Sequence, residues 1–73
     1  MEKIRRLTIT REGIGFFKAI LESYEEIGIM TVIDGKTGEI ELIYPVSAEA
    51  DLMAIMDDMK RFDILFTEAR DVR

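Results

Sequence analysis

The chain has no cysteine and no histidine. Without cysteine there is no disulfide and no thiolate chemistry. Without histidine, zinc and copper lack their usual ligands, and a serine nucleophile lacks its base. Asparagine and glutamine are absent too, while glutamate and arginine are plentiful. That bias resembles thermophile proteins, which avoid thermolabile side chains. No apolar run approaches the ~20 residues of a membrane span. The opening Met1-Glu-Lys-Ile-Arg-Arg6 leads into alternating Leu/Ile and Thr, not a continuous apolar segment. No signal peptide is expected, and the expected compartment is the cytoplasm. Positive charge is in deficit: the net charge of −5 argues against binding a phosphate backbone.

What is present is a chain of 73 residues, 48% apolar and 34% charged, which is globular and not disordered. Residues 1–73 form one domain with no room for a second. The chain is near the lower size at which a domain folds alone, and small domains gain stability from a staple or a partner. With no disulfide, and no histidine or cysteine to hold a metal, oligomerisation is the staple left open.

Ile4 to Thr10 alternates as a strand, with Leu7 and Ile9 on one side and Arg6 and Thr8 on the other. Thr10 is placed to cap a helix, with Glu12 favoured near its positive end. From Ile14 onward, Phe17, Ile20, Leu21, Tyr24 and Ile27 build one apolar face, with Lys18, Glu22, Glu25 and Glu26 on the wet side. Gly28 then stands where a left-handed terminator belongs. Ile29-Met-Thr-Val-Ile33 reads as a second strand, and Asp34-Gly-Lys-Thr-Gly-Glu39 as a hairpin loop. Ile40, Leu42 and Tyr44 share one face of a third strand that Pro45 ends. Ser47 is the expected cap of a second helix, whose apolar stripe is Leu52, Ile55, Met56 and Met59. Phe62 to Thr67 is the expected last strand, with Phe62, Ile64 and Phe66 on one face, followed by a frayed tail.

Two βαβ crossovers sharing a hairpin predict a ferredoxin-like α+β fold, βαββαβ. The antiparallel sheet has strand order 4-1-3-2, with both helices on one face. Arg6 and Glu41 then pair across the open face. The second strand becomes an edge, apolar and uncharged until Asp34, and such an edge is a liability or a docking site.

Several motifs fail on inspection. Gly13-Ile-Gly15 follows a strand and opens a helix, but Lys18 stands where the third glycine of a dinucleotide fingerprint belongs. Gly35-Lys-Thr37 mimics the end of a P-loop, yet Met30 replaces its first glycine and a strand follows. Asp34 and Glu39 are too few oxygen ligands for a calcium loop. Met56 and Met59 lie on the helix stripe and pack the core, while Met53 flanks it. Asp51, Asp57 and Asp58 are spread around the helix as a solvated face. Arg5 and Arg6 lack the strand aromatics on which RNA bases stack. The loop glycines first serve a tight turn. A ligand reading of the same loop uses the free amides of a helix N-terminus for a carboxylate, with Glu12 for an ammonium.

The run Thr10-Arg-Glu-Gly-Ile14, the Phe17/Ile20/Leu21 helix and Gly28-Ile-Met30 together resemble the ACT domain, over the first half of the chain. Gly13 and the apolar Ile14 match that family's loop. Thr10 stands where aspartate is usual, and Glu12 where proline is usual. The chain is also similar to small stand-alone bacterial domains of unknown function. The resemblance implies side-by-side pairing and small effectors bound at the interface, with any regulated partner a separate chain.

The expectation is therefore a non-catalytic regulatory or small-ligand module acting as a homodimer or higher homo-oligomer. An amino-acid-like ligand would be held by Glu12, Gly13 and Ile14. The edge residues Ile29, Met30, Thr31 and Val32 of a neighbour would close the site. The rival expectation is a protein interaction module without a ligand. An enzyme ranks third, since acylphosphatase, of similar fold, relies on an asparagine that this chain lacks. No metal, cofactor, nucleic acid or membrane contact is expected.

Overall fold

The computed structural model describes residues 1–24 and 27–68. Glu25 and Glu26 on the wet face of the first helix, and residues 69–73 of the tail, lie outside the described residues. The elements run β1 (Glu2–Ile9), α1 (Ile14–Ser23), β2 (Ile29–Asp34), β3 (Glu39–Pro45), α2 (Glu49–Asp58) and β4 (Phe66–Glu68). The sheet is antiparallel throughout, in order β2-β3-β1-β4, which is the order that two crossovers around a shared hairpin require.

Register places every second residue of the sheet against the helices. Leu7 faces Ile40, and Arg5 faces Leu42. Leu7, Ile9, Ile40, Leu42 and Tyr44 form the sheet half of the core, while Phe17, Leu21, Leu52, Met56 and Met59 form the helix half. Phe17 is fully buried and packs edge-on against Phe66 with centroids 4.9 Å apart, so one aromatic pair clamps α1 to β4. The other face carries Ile4, Arg6 and Thr8, and Arg6 reaches Glu39 at 3.0 Å and Glu41 at 3.4 Å.

The hairpin forms as expected. Asp34 Oδ1 accepts the Lys36 amide at 2.9 Å, and its carbonyl accepts the Gly38 amide at 2.9 Å. Gly38 has φ 83°. A Cβ there would also strike the Ile9 carbonyl oxygen, while the Gly38 carbonyl accepts the Ile9 amide at 2.8 Å.

Element ends differ from the sequence expectations, each for a local reason. Thr10 does not cap α1: its hydroxyl accepts the Leu65 amide at 3.0 Å, and a 3-10 turn, Arg11–Gly13, precedes the helix. Ser47 does not cap α2, for it lies inside a second 3-10 turn, Val46–Ala48. Helix α1 stops at Ser23, so Tyr24 leaves the helical period and is 52% exposed. Gly28 is not a left-handed terminator, having φ 159°. It sits just before β2, where a Cβ would be 3.1 Å from that of Tyr44.

The last strand begins four residues later than expected, at Phe66 rather than Phe62. Helix α2 runs on through a 3-10 turn, Met59–Phe62, and ends at Asp63 with φ 62°. The Asp63 amide bonds to Lys60 O at 3.0 Å and the Ile64 amide to Met59 O at 3.3 Å. This is a Schellman cap with its usual apolar contact, here buried Ile64 and Met59. Aspartate can occupy the left-handed position that glycine usually takes. Phe62 is thereby turned outward and is 52% exposed.

Gly38→Ala is expected to destabilise the fold by ~2 kcal/mol or more, combining left-handed strain with a backbone collision. Urea unfolding measures it, and an unchanged midpoint would refute the close approach.

Candidate functional site

The loop expected to hold a ligand is built as a packing joint. Glu12 and Gly13 lie in the 3-10 turn and Ile14 opens α1. Gly13 is buried, and a Cβ on it would lie 2.6 Å from Ile64 Cγ2. The glycine lets the α1 entrance settle on the residue that follows the Schellman cap. Glu12 is exposed and Ile14 half-buried. The structure thus places the three residues side by side along the chain, with Ile64 filling the space above the glycine.

The expected oligomer edge has a different character. Strand β2 is hydrogen-bonded to β3 and to no other described strand. Ile29 is 66% exposed, Val32 and Ile33 are also exposed, and Met30 is half-buried. The pairing with β3 slips between Val32 and Asp34, which bends the far end of the edge. On the open face Ile29 stands opposite Ile43, and Ile43 opposite Ile4, giving an isoleucine row across three strands. A cleft of about 270 Å³ between α1 and β2 is lined by Lys18, Leu21, Glu22, Gly28, Ile29 and Met30.

Two features escape the sequence pattern. A groove of about 340 Å³ runs between the outer faces of the helices, with Phe16, Tyr24 and Phe62 exposed along it. Phe16 and Phe62 meet edge-on at 5.4 Å. The groove follows from Tyr24 and Phe62 leaving their expected elements.

The second is a charged cluster on the helix side of β1. Lys3 bonds Glu49 Oε1 at 3.0 Å, and the buried Tyr44 hydroxyl donates to Glu49 Oε2 at 3.0 Å. Next to them Arg5 pairs with Glu68 and donates to Met53 Sδ at 3.2 Å. The Glu68 carboxylate raises the Arg5 pKa above its ordinary value, against the opposing effect of burial. Lys3 first, and then Tyr44, hold the Glu49 carboxyl below the ordinary glutamate range. Beside this cluster a cleft of about 210 Å³ is lined by Arg5, Leu7, Met53, Met56, Asp57, Lys60, Phe66 and Glu68.

No helix among the described residues is long and apolar enough to cross a membrane. A family model described as a domain of unknown function, DUF4911, matches residues 7–62. No curated protein and no solved structure matches the chain.

The Glu49 carboxyl has a lowered pKa in the folded state, so its contribution is present above the ordinary glutamate value, about 4.3. It is lost as pH falls through the depressed value. The Lys3→Met variant is expected to show a shallower acid loss of stability than the parent. Urea midpoints across an acid pH series measure this, and added salt should narrow the gap because the pair is exposed. Parallel acid limbs would remove the Lys3–Glu49 pair from the account.

Proposed function

The chain belongs to the DUF4911 family, a family of domains of unknown function, and we propose that it is a non-catalytic regulatory module that works as a homodimer joined through β2. The observation that carries this reading is the edge itself. An exposed strand whose first five residues, Ile29–Ile33, carry no charge and no proline is a template for another strand, and proteins that keep such an edge single usually blunt it. The bulge near Ile33 blunts only its far end. A chain this small also gains most from a partner.

Symmetry narrows the contact. Two copies of one edge strand related by a two-fold axis pair antiparallel, with one residue opposite itself. Thr31 at the axis sets Ile29 opposite Ile33 and Met30 opposite Val32. All five uncharged residues Ile29–Ile33 then face one another, and Asp34 falls opposite Gly28. Moving the axis to Val32 would instead draw Asp34 onto Met30. Lys18 and Glu22, which border the cleft beside this edge, offer opposite charges to their symmetry copies. Regulation would be linkage: whatever binds one arrangement better stabilises it. In this reading the glycine of the Glu12–Ile14 loop serves packing and the edge serves function.

Light scattering of the free chain is expected to give a dimer. With no native cysteine, Thr31→Cys provides a clean probe, because facing residues in a strand pair fall within the ~4.4–6.8 Å Cα range of a disulfide. Oxidation should cross-link Thr31→Cys dimers, whereas Thr8→Cys on the central strand should stay single. Val32→Pro should give a folded monomer. A monomeric parent chain, or equal cross-linking of both cysteine variants, would overturn the reading.

A further inference from the structure

The cleft between β1, β4 and α2 lies across the sheet from the β2 edge, and its chemistry stands independently of the dimer. Its oddity is Arg5. This residue occupies a helix-facing position of β1, in line with the buried Leu7 and Ile9. Charged residues are rarely placed there unless paired. Its side chain is only 23% exposed.

Its partners use the guanidinium incompletely. Both Nε and Nη2 donate to the same oxygen, Glu68 Oε2, instead of forming the fork that matches both carboxylate oxygens. Nη1 donates to Met53 Sδ, a weak acceptor. A guanidinium has five N–H donors, of which three are used on Glu68 and Met53. The Tyr44 hydroxyl is a further neighbour of the group, so at most two donors remain without a described protein acceptor. They adjoin a cleft floored by Leu7, Met56 and Phe66, with Lys60 on its rim. Among the described residues Lys60 is tied only to Asp57, at 2.8 Å, and both side chains are mostly in water. Such a pair holds little energy and rearranges readily.

We propose that this cleft binds a small monocarboxylate with a compact apolar body. The carboxylate sits on Arg5 and Lys60, and the body lies on Leu7, Met53, Met56 and Phe66. Asp57 and Glu68 on the rim repel a doubly charged phosphate more than a single carboxylate, which sets the charge of the ligand. The volume of about 210 Å³ equals about seven waters at ~30 Å³ each. That space suits the body of a branched or aromatic short-chain acid.

The probe is 4-methylpentanoate, titrated into the full chain and followed by NMR of the methionine methyls and by calorimetry. Saturable shifts of Met53 and Met56 are expected, with a dissociation constant of roughly millimolar or tighter. The neutral amide of the same acid should bind at least about tenfold more weakly. Arg5→Met keeps the stem and removes the charge, and should abolish saturation. Lys60→Met, at an exposed position that the fold does not need, should weaken binding several-fold. Leucine binding as well as the acid would support the site. Amide binding equal to the acid would overturn the carboxylate assignment. Binding of leucine without the acid would overturn it too, since the ammonium on Glu68 would then be the anchor. Absence of saturable shifts with 4-methylpentanoate would refute the site, and the dimer would be untouched by that result.

Discussion

The molecule hangs on β1. With β3 it is one of the two inner strands, bonded to β3 from Glu2 through Thr8 and to β4 from Leu7 through Ile9, and among the described strands it alone pairs with the last one. The same strand supplies Leu7 and Ile9 to the core. Its ends are tied as well, through the Met1 carbonyl to Val46 and through the Ile9 amide to Gly38. A strand that is central, buried on one face and pinned at both ends cannot slip without turning Leu7 and Ile9 into water. The register of β3 and β4, and through β3 that of β2, follows from it. The glycines at 13 and 38 serve this arrangement. Gly38 lets the hairpin touch the end of β1, and Gly13 lets the α1 entrance close over Ile64.

The two sides of β1 are not equivalent. On the β4 side, Phe17 packs edge-on against Phe66 and Arg5 reaches out to Glu68, so this edge is held by side chains from beneath. On the β2 side, backbone pairing to β3 and the packing of Ile27 and Met30 do the holding, and the outer edge of β2 carries no covering element among the described residues. One edge is short and cross-tied, and the other is longer and bare. That asymmetry is why the proposed dimer is assigned to β2 and the proposed ligand to the β4 side.

Much of this was legible in the sequence because the signals were non-local constraints. Two crossovers around one hairpin leave few topologies, so the strand order, the helix-facing Tyr44 and the Arg6–Glu41 pair followed. The failures lie where a short-range rule had a competitor. Thr10 had the composition of a cap, but its hydroxyl found the Leu65 amide, a partner 55 residues away that no window reveals. Asp63 takes the left-handed position usually given to glycine, so the end of α2 is invisible to a search for glycine, and the alternation of Phe62, Ile64 and Phe66 reads as strand. The Arg5 cleft was invisible for a related reason. Arg5 and Arg6 look alike in the sequence, and only the register separates one facing water from one facing the core. For the Glu12–Ile14 loop, the residues were legible but their neighbour was not, since Ile64 approaches from the opposite end of the chain.

The two proposed surfaces raise the matter of how one could report on the other. A ligand in the cleft touches β1, α2 and β4, whereas a second copy would meet β2. Any coupling between them has to cross the β1–β3 ladder, which is the longest of the sheet. A ligand that left that ladder unchanged would have equal affinity for monomer and dimer, and would shift nothing. Coupling therefore requires that the dimer alter the twist of the sheet as a whole, because twist is the one property that all four strands share. Arg5 is placed to feel it: its hold on Glu68 spans the β1–β4 gap, so a change in strand angle changes how many of its donors are free. On this geometry the cleft would sense the state of the distant edge through sheet twist, without any moving loop.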